Sequence, residues 1–332
     1  MLECRLVFGL PVNHQSPIEN SHVLPEYLPA SELETLVQRA LSEDLVAPHA
    51  GLGDGAEDVT TVATVPEDTR AAAQIRAKEA GVAAGLKASE RVFRAADEGV
   101  DVTWAVTDGA AVDAGDTVGQ LEGPARGLLV AERTALNVMQ RMSGIATATR
   151  RMVRRARPHG AEILDTRKTA PGLRFLDKWA VALGGGTNHR LGLHDLILIK
   201  DNHLAAAGGV AEALKAAHRY RRTHAGAEDL QVELETRTLA EVQAALDAEE
   251  DGSGPDIVLL DNMVRATDDG ETDVATLREA VALVDGRFRT EASGNVTLGT
   301  VEAIARTGVD AVSSGALTHS VRALDLSMEI RL

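Results

Sequence analysis

The 332 residues carry 34 basic against 50 acidic side chains, a net charge of −16, and only six of the basic residues are lysine. So acidic and lysine-poor a surface repels nucleic acid and anionic membranes, and it suits a cytoplasm of concentrated salt, where screening removes self-repulsion. One cysteine, Cys4, excludes an internal disulfide and a cysteine-built zinc site; no apolar run approaches a membrane span, and the N-terminus lacks the regions of a signal peptide, so a reducing cytoplasm is expected.

Residues 1–29 have no clear period and read as an N-terminal extension without an assigned role. Ser31, with Glu34 three residues on, reads as the capping box of a helix whose apolar face is Leu33, Leu36, Val37 and Leu41. From Val59 to Glu122 short strand-like runs (Ala72 to Ala77, Val102 to Val106, Thr117 to Leu121) alternate with turns around one helix near Ala88 to Glu98. This predicts an α+β domain over 30–141, with a sheet packed on helices. The segment VTDGAAVDAGDTVGQLEG has the turn spacing of a biotinyl or lipoyl carrier, but no lysine between Lys87 and Lys168 is present to bear the group. Arg126 to Arg157, bracketed by Pro124 and Pro158, reads as helical with a break at Ser143-Gly144. Leu128, Leu129, Leu136, Met139 and Met142 recur on its core face, and Arg133 by itself reads as a surface arginine.

Over 142–316 strand and helix alternate. Apolar runs end at Asp165, Lys200, Glu235, Asp261, Glu291 and Ser313, the spacing of βα units on a parallel sheet. Six such strands, each closed by a polar or charged residue, point to a (β/α) barrel with its active site at the C-terminal strand ends. Asp247 to Asp256 reads as a solvated acidic loop. Over 317–332, Leu324, Leu326, Met328 and Ile330 alternate with polar residues, a strand expected to return to the first domain's sheet.

Charge reverses sign locally. Between Thr166 and His203 six cations (Arg167, Lys168, Arg174, Lys178, Arg190, Lys200) face three aspartates, net +3 in a protein of net −16. Arg174 and Lys178, four apart on a helix, read as solvated surface charges, whereas Arg167, Lys168, Arg190 and Lys200 each follow an apolar run or a glycine turn and point to an anionic ligand. Glu235 and Asp261 close apolar runs at the same mouth; such carboxylates bind ribose hydroxyls, hold Mg²⁺ with substrate phosphates completing the shell, or cap the next helix. Glu233 alternates with Glu235 and either shares the pocket or pairs with a neighbour. Ser293-Gly294-Asn295 and Ser314-Gly315-Ala316 follow the last two strands and suit phosphate binding through backbone N–H groups. His203 reads as orienting Lys200 or capping a turn, and His319 as structural.

The strings DTRKTAPGLR, GGGTNHRLGL and LILIKDNH, in this order and spacing, resemble the quinolinate phosphoribosyltransferase family. So do ERTALNVMQRMSGIAT upstream and VELET, IVLLDNM, EASGNV and TGVDAVSSGALTHSVRALD downstream. The likeness runs from about Ser31 to the C-terminus; the family's short acidic turn after the first helix is here the longer EDLVAPHAGLGDGAEDVTT. The resemblance implies an α/β fold, an incomplete (β/α) barrel with an N-terminal α+β sandwich domain. It also implies quinolinate and phosphoribosyl pyrophosphate as substrates, converted with Mg²⁺ to nicotinate mononucleotide, pyrophosphate and CO2 in NAD biosynthesis. By matching motif positions, Arg133, Arg167, His189, Arg190 and Lys200 would hold the quinolinate carboxylates, and Lys168, Glu235 and Asp261 would contact the phosphoribosyl pyrophosphate. Thr166 belongs to the same substrate-binding set. Arg133 would reach the neighbouring subunit's site in a homodimer. His189 reads either as a proton donor near the decarboxylated carbon or as a neutral hydrogen-bond donor to a carboxylate. Three other readings stay open: a transferase acting on nicotinate without decarboxylation, a Schiff-base aldolase using Lys168 or Lys200, and a non-enzymatic anion binder.

Overall fold

The computed structural model describes residues 24–45, 57–266 and 272–331; residues 1–23 of the extension and 46–56 of the lengthened acidic loop lie outside them. Helices α1 (Ala30–Leu45) and α2 (Val59–Thr64) precede strand β1 (Arg70–Ala77), helix α3 (Leu86–Ala96), strands β2 (Asp101–Trp104) and β3 (Thr117–Pro124) and the long helix α4 (Ala125–Ala156). Then follow β4 (Glu162–Leu164), α5 (Arg174–Leu183), β5 (Ile197–Ile199), α6 (Asp201–Ala207), α7 (Val210–Thr223), β6 (Val232–Thr236) and α8 (Leu239–Glu250). The chain closes with β7 (Ile257–Asp261), α9 (Ala275–Val284), β8 (Arg289–Ser293), α10 (Val301–Ala305), β9 (Ala311–Ser313) and β10 (Leu326–Arg331). These form two compact units: 24–150, 169–185 and 317–331 make one, 151–168 and 186–316 the other.

The first unit is an antiparallel sheet in the order β10-β1-β3-β2. Ala73, Ile75 and Ala77 on β1 turn inward with the period of two that a one-sided sheet needs, and join Phe93, Leu121, Leu128, Met139 and Met142 in a closed core. β10 pairs with β1 from Ala77↔Leu326 to Ala72↔Arg331, the expected return of the C-terminal strand. α1 begins one residue before the expected cap, because the Pro29 carbonyl accepts from the Glu32 and Leu33 N–H groups; Ser31 therefore lies inside the first turn. The break expected at Ser143-Gly144 is absent from the 32-residue α4. Both small residues serve close packing instead: a Cβ on Gly144 would stand 2.2 Å from the Arg322 carbonyl oxygen, and Ser143 Oγ accepts from Ala84 N–H at 2.9 Å.

The second unit is an all-parallel six-stranded sheet in the order β4-β9-β8-β7-β6-β5 with helices between its strands. All six apolar runs are strands. The edges β4 and β5 are consecutive in the chain, and the only pairing on the outer side of β4 among the described residues is the bridge Leu164↔Thr187. This is the open seam of an incomplete barrel. The two units part within α4, at 150/151, and α5 adds Leu176, Trp179 and Val181 to the first unit's core. The stretch expected as an acidic loop is half helix: Asp247 to Glu250 close α8, Ser253 is buried, and the Asp256 carboxylate accepts from Val232 N–H at 2.7 Å. No helix among the described residues is long and apolar enough to cross a membrane.

Candidate active site

At the C-terminal strand ends of the second unit lies a cleft of about 550 Å³. Its wall includes Thr166, Arg167, Lys168, His189, Arg190, Lys200, Glu235, Asp261, Ser293 and Gly294, so ten of the residues singled out from the sequence converge there. The segment after Thr187 is held by Asp165, the fully buried residue that follows β4. One carboxylate oxygen accepts from Asn188 Nδ2 (2.7 Å), the other from the His189 backbone N–H (2.8 Å). Charge-assisted bonds of this kind in a dry setting hold a loop firmly. Asp195 does the same for the next turn, accepting from Gly192 N–H at 2.9 Å.

Two electrostatic clusters share the cleft. In the first, His189 Nε2 lies 3.1 Å from Glu233 and 3.4 Å from Glu291. Both carboxylates are buried, and among the described residues no donor is aligned on either Glu233 oxygen or on Glu291 Oε1. Burial works against charge on His189, but its contacts with Glu233 and then Glu291 outweigh this and push the ring up to about 10. The Arg190 backbone N–H, 2.7 Å from Nδ1, favours a lone pair on that nitrogen and tempers the shift; in either form the Nε2 proton faces the carboxylates. Glu233 is itself shifted upward, by burial first and by Glu291 second. Arg190 is shifted downward by burial and by the like charge of Arg167. Cations crowded against one another in this way are arranged for an anion that arrives from outside.

In the second cluster, Lys200 Nζ lies 3.2 Å from Glu235 Oε2. Arg237 touches three carboxylates: Asp201 at 2.8 Å, Glu235 Oε1 at 3.2 Å and Asp261 at 3.3 Å. Glu235 and Asp261 are not helix caps, since α8 is capped by Thr238 and Glu241 and the N-cap of α9 is Val274. His203 Nδ1 accepts from Lys200 N–H at 3.0 Å and caps α6, one of its two expected roles.

The remaining expectations divide. Asn295 is not in the wall: it sits at φ 54° with its amide donating to Val264 O. Ser314, Gly315 and Ala316 are absent from the wall as well, and Ser314 Oγ is turned onto Val296 O; Ser313 lines the cleft in their place. Arg133 stands on α4 in the other unit. Lys178, read as a surface charge, is fully buried on α5, and Arg174 donates to Thr169 Oγ1 at 2.7 Å. Arg237 and Asn262, with no role expected from the sequence, also line the cleft, as does Glu291, which was expected to close its strand and instead lies within β8, which continues to Ser293. Arg237 and Asn262 directly follow strand ends and Glu291 alternates inward on β8, a position-based signal available for all three. Gly294, at φ 90°, permits contact with Asn262, whose Oδ1 would lie 2.2 Å from an added Cβ.

Comparison with known proteins is consistent along the whole chain. Residues 58–143 match the profile described as quinolinate phosphoribosyl transferase, N-terminal domain, and residues 145–329 that of its C-terminal domain. A Nicotiana tabacum protein named quinolinate phosphoribosyltransferase [decarboxylating] 2a, mitochondrial, is 49% identical over 94% of this chain and 86% of its own length. The nicotinate-nucleotide pyrophosphorylase [carboxylating], chloroplastic, of Oryza sativa is 49% identical over 93% and 80%. The crystal structure of NadC from Streptococcus pyogenes superimposes with a TM-score of 0.79 at 37% identity, covering 92% of this chain and 98% of that one.

Proposed function

The chain belongs to the quinolinate phosphoribosyltransferase family, and on that premise we propose how its cleft performs the family's reaction. The enzyme is a glycosyltransferase of NAD biosynthesis: it transfers phosphoribosyl to quinolinate with decarboxylation, giving nicotinate mononucleotide, pyrophosphate and CO2. The observation that carries the assignment of roles is the convergence of Arg167, Lys168, Arg190 and Lys200 with Glu235 and Asp261 on one cleft.

Arg167, Arg190 and Lys200, with His189, hold the two quinolinate carboxylates. The like charges of Arg167 and Arg190 oppose each other, and a bound dianion relieves that repulsion. Arg133 would complete the set from a second copy in a homodimer. Lys168 and the backbone at Ser293 and Gly294 receive the phosphate groups of the cosubstrate. Glu235 and Asp261 face the ribose, where positive charge builds as pyrophosphate leaves, and they stabilise it by preorganised electrostatics. The same pair fits Mg²⁺: both are oxygen donors and both already share one cation, the Arg237 guanidinium. Glu235 and Asp261 would hold Mg²⁺ there, and a bound ion would supply neutralisation of the departing oxygens. Once the ring nitrogen is quaternised it stabilises the carbanion left by CO2. The acidic, lysine-poor surface fits a cytoplasmic enzyme adapted to high salt.

The test is nicotinate mononucleotide formation from phosphoribosyl pyrophosphate and Mg²⁺ with quinolinate or nicotinate as acceptor, at low and molar salt. Product from quinolinate with equimolar CO2 is expected. Product from nicotinate alone would overturn the assignment of the cation set.

A further inference from the structure

The Arg237 side chain lies where a metal ion would have to go. It touches both Glu235 and Asp261, and its remaining amino group reaches Asp201 at 2.8 Å, so one guanidinium closes a ring of three carboxylates. Its backbone is held in place: the Arg237 and Thr238 N–H groups both donate to Glu241 at the start of α8, at 2.7 and 3.0 Å. The side chain, in contrast, is 49% exposed and rests against the wall by ionic contacts alone among those described. A rigid root, a long flexible stem and a half-solvated head make a group that can leave without disturbing the fold.

We propose that Arg237 is an internal placeholder cation. It neutralises Glu235 and Asp261 in the ligand-free enzyme, keeps free divalent cations off them, and yields the position when a divalent cation arrives with the diphosphate-bearing cosubstrate, its guanidinium moving onto the diphosphate. The proposal rests on the reading of Glu235 and Asp261 as the metal-binding pair.

Electrostatics favours this order of events. A free divalent ion must displace the guanidinium from both carboxylates and leaves it only Asp201 and solvent as partners. An ion already carrying a diphosphate brings a new partner for Arg237, since a guanidinium pairs with phosphate oxygens in the same forked geometry as with carboxylates. Metal loading is thereby coupled to cosubstrate binding, a differential interaction of the kind that coupling between two ligands requires.

The experiment is Mn²⁺ binding to the ligand-free full-length protein, followed by the electron paramagnetic resonance of the free ion, for wild type, Arg237→Gln, Arg237→Lys and Arg237→Gln combined with Glu235→Gln. Expected is weak binding to wild type, at least tenfold tighter binding to Arg237→Gln, an intermediate value for Arg237→Lys, and loss of the gain in the double variant. The KM for phosphoribosyl pyrophosphate should rise in Arg237→Gln while that for quinolinate stays put. Equal Mn²⁺ affinity in wild type and Arg237→Gln overturns the placeholder role. If Glu235→Gln alone then abolishes that shared binding, the carboxylates hold the ion and only the inference about Arg237 fails. Tighter binding that survives the added Glu235→Gln substitution overturns the metal-pair reading and the inference with it. Thermal melts of each variant show that all are folded, which the exposure of Arg237 leads one to expect.

Discussion

Replacing His189 by Gln removes a titrating group while keeping an N–H donor toward Glu233. In the wild type the ring is raised from 6.5 to about 10 by the two carboxylates, against its own burial. The folded protein therefore holds this proton more tightly than the unfolded chain. The stability it contributes is fully present below pH 6.5 and is lost as pH rises toward 10. At about 1.4 kcal/mol per pH unit the whole interval corresponds to at most about 5 kcal/mol. The true figure is smaller, because a proton on Nδ1 displaces the 2.7 Å contact from the Arg190 N–H. Glu233, shifted upward by its burial, acts in the same direction. The measurement is urea-induced unfolding at half-unit steps from pH 6.5 to 10, with ring-nitrogen NMR of His189 alongside. Wild-type stability should fall by several kcal/mol more than that of His189→Gln. Parallel curves, or a ring that titrates near 6.5, would refute the picture of an imidazolium held between two glutamates.

Other substitutions test neighbouring parts of the argument. Arg190→Met should lower kcat/KM for quinolinate by 30-fold or more, the cost of about 2 kcal/mol for one lost charge-assisted contact, yet leave the melting temperature unchanged or higher because repulsion from Arg167 is relieved. A coincident loss of stability would mean that Arg190 is a structural residue. Gly294→Ala puts a methyl group 2.2 Å from Asn262 Oδ1 at a φ of 90°, and should raise the KM for phosphoribosyl pyrophosphate at least tenfold by pushing the wall outward. Unaltered kinetics would place the phosphates elsewhere. Asp58 accepts from the Thr60 and Thr61 N–H groups at the start of α2, and Asp58→Ala should cost about 1 kcal/mol of unfolding free energy with turnover retained. Because hydrogen bonds from Thr61 hold its carboxyl below the usual range, that difference should be present at neutral pH and vanish in acid as the wild-type carboxylate is protonated.

The strand ends of the barrel were legible in the chain because a buried parallel strand is mostly apolar, while residues at or just past its C-terminal end emerge at the mouth and can carry charge. That single rule located Thr166, Arg167, Lys168, Lys200, Glu235 and Asp261, and the period of two in Leu324 to Ile330 identified the returning strand. Motif resemblance added the substrate. What local pattern could not decide was the partner of each group. Ser143-Gly144 read as a helix break because a small-residue pair has no intrinsic preference strong enough to show that another segment packs onto it. Lys178 read as a surface charge because burial of one lysine is a property of its neighbours, not of its own spacing. His189 is drawn toward its charged form, and Arg237 becomes an internal counter-ion, only when the fold brings Glu233 near Glu291, from strands two apart in the sheet, and Glu235 near Asp261, from neighbouring strands. Charge, capping and periodicity are short-range and survive in the unfolded chain. Electrostatic potential is a sum over groups that only the tertiary fold brings within a few ångströms, and so the structure alone settled the protonation and pairing of the site.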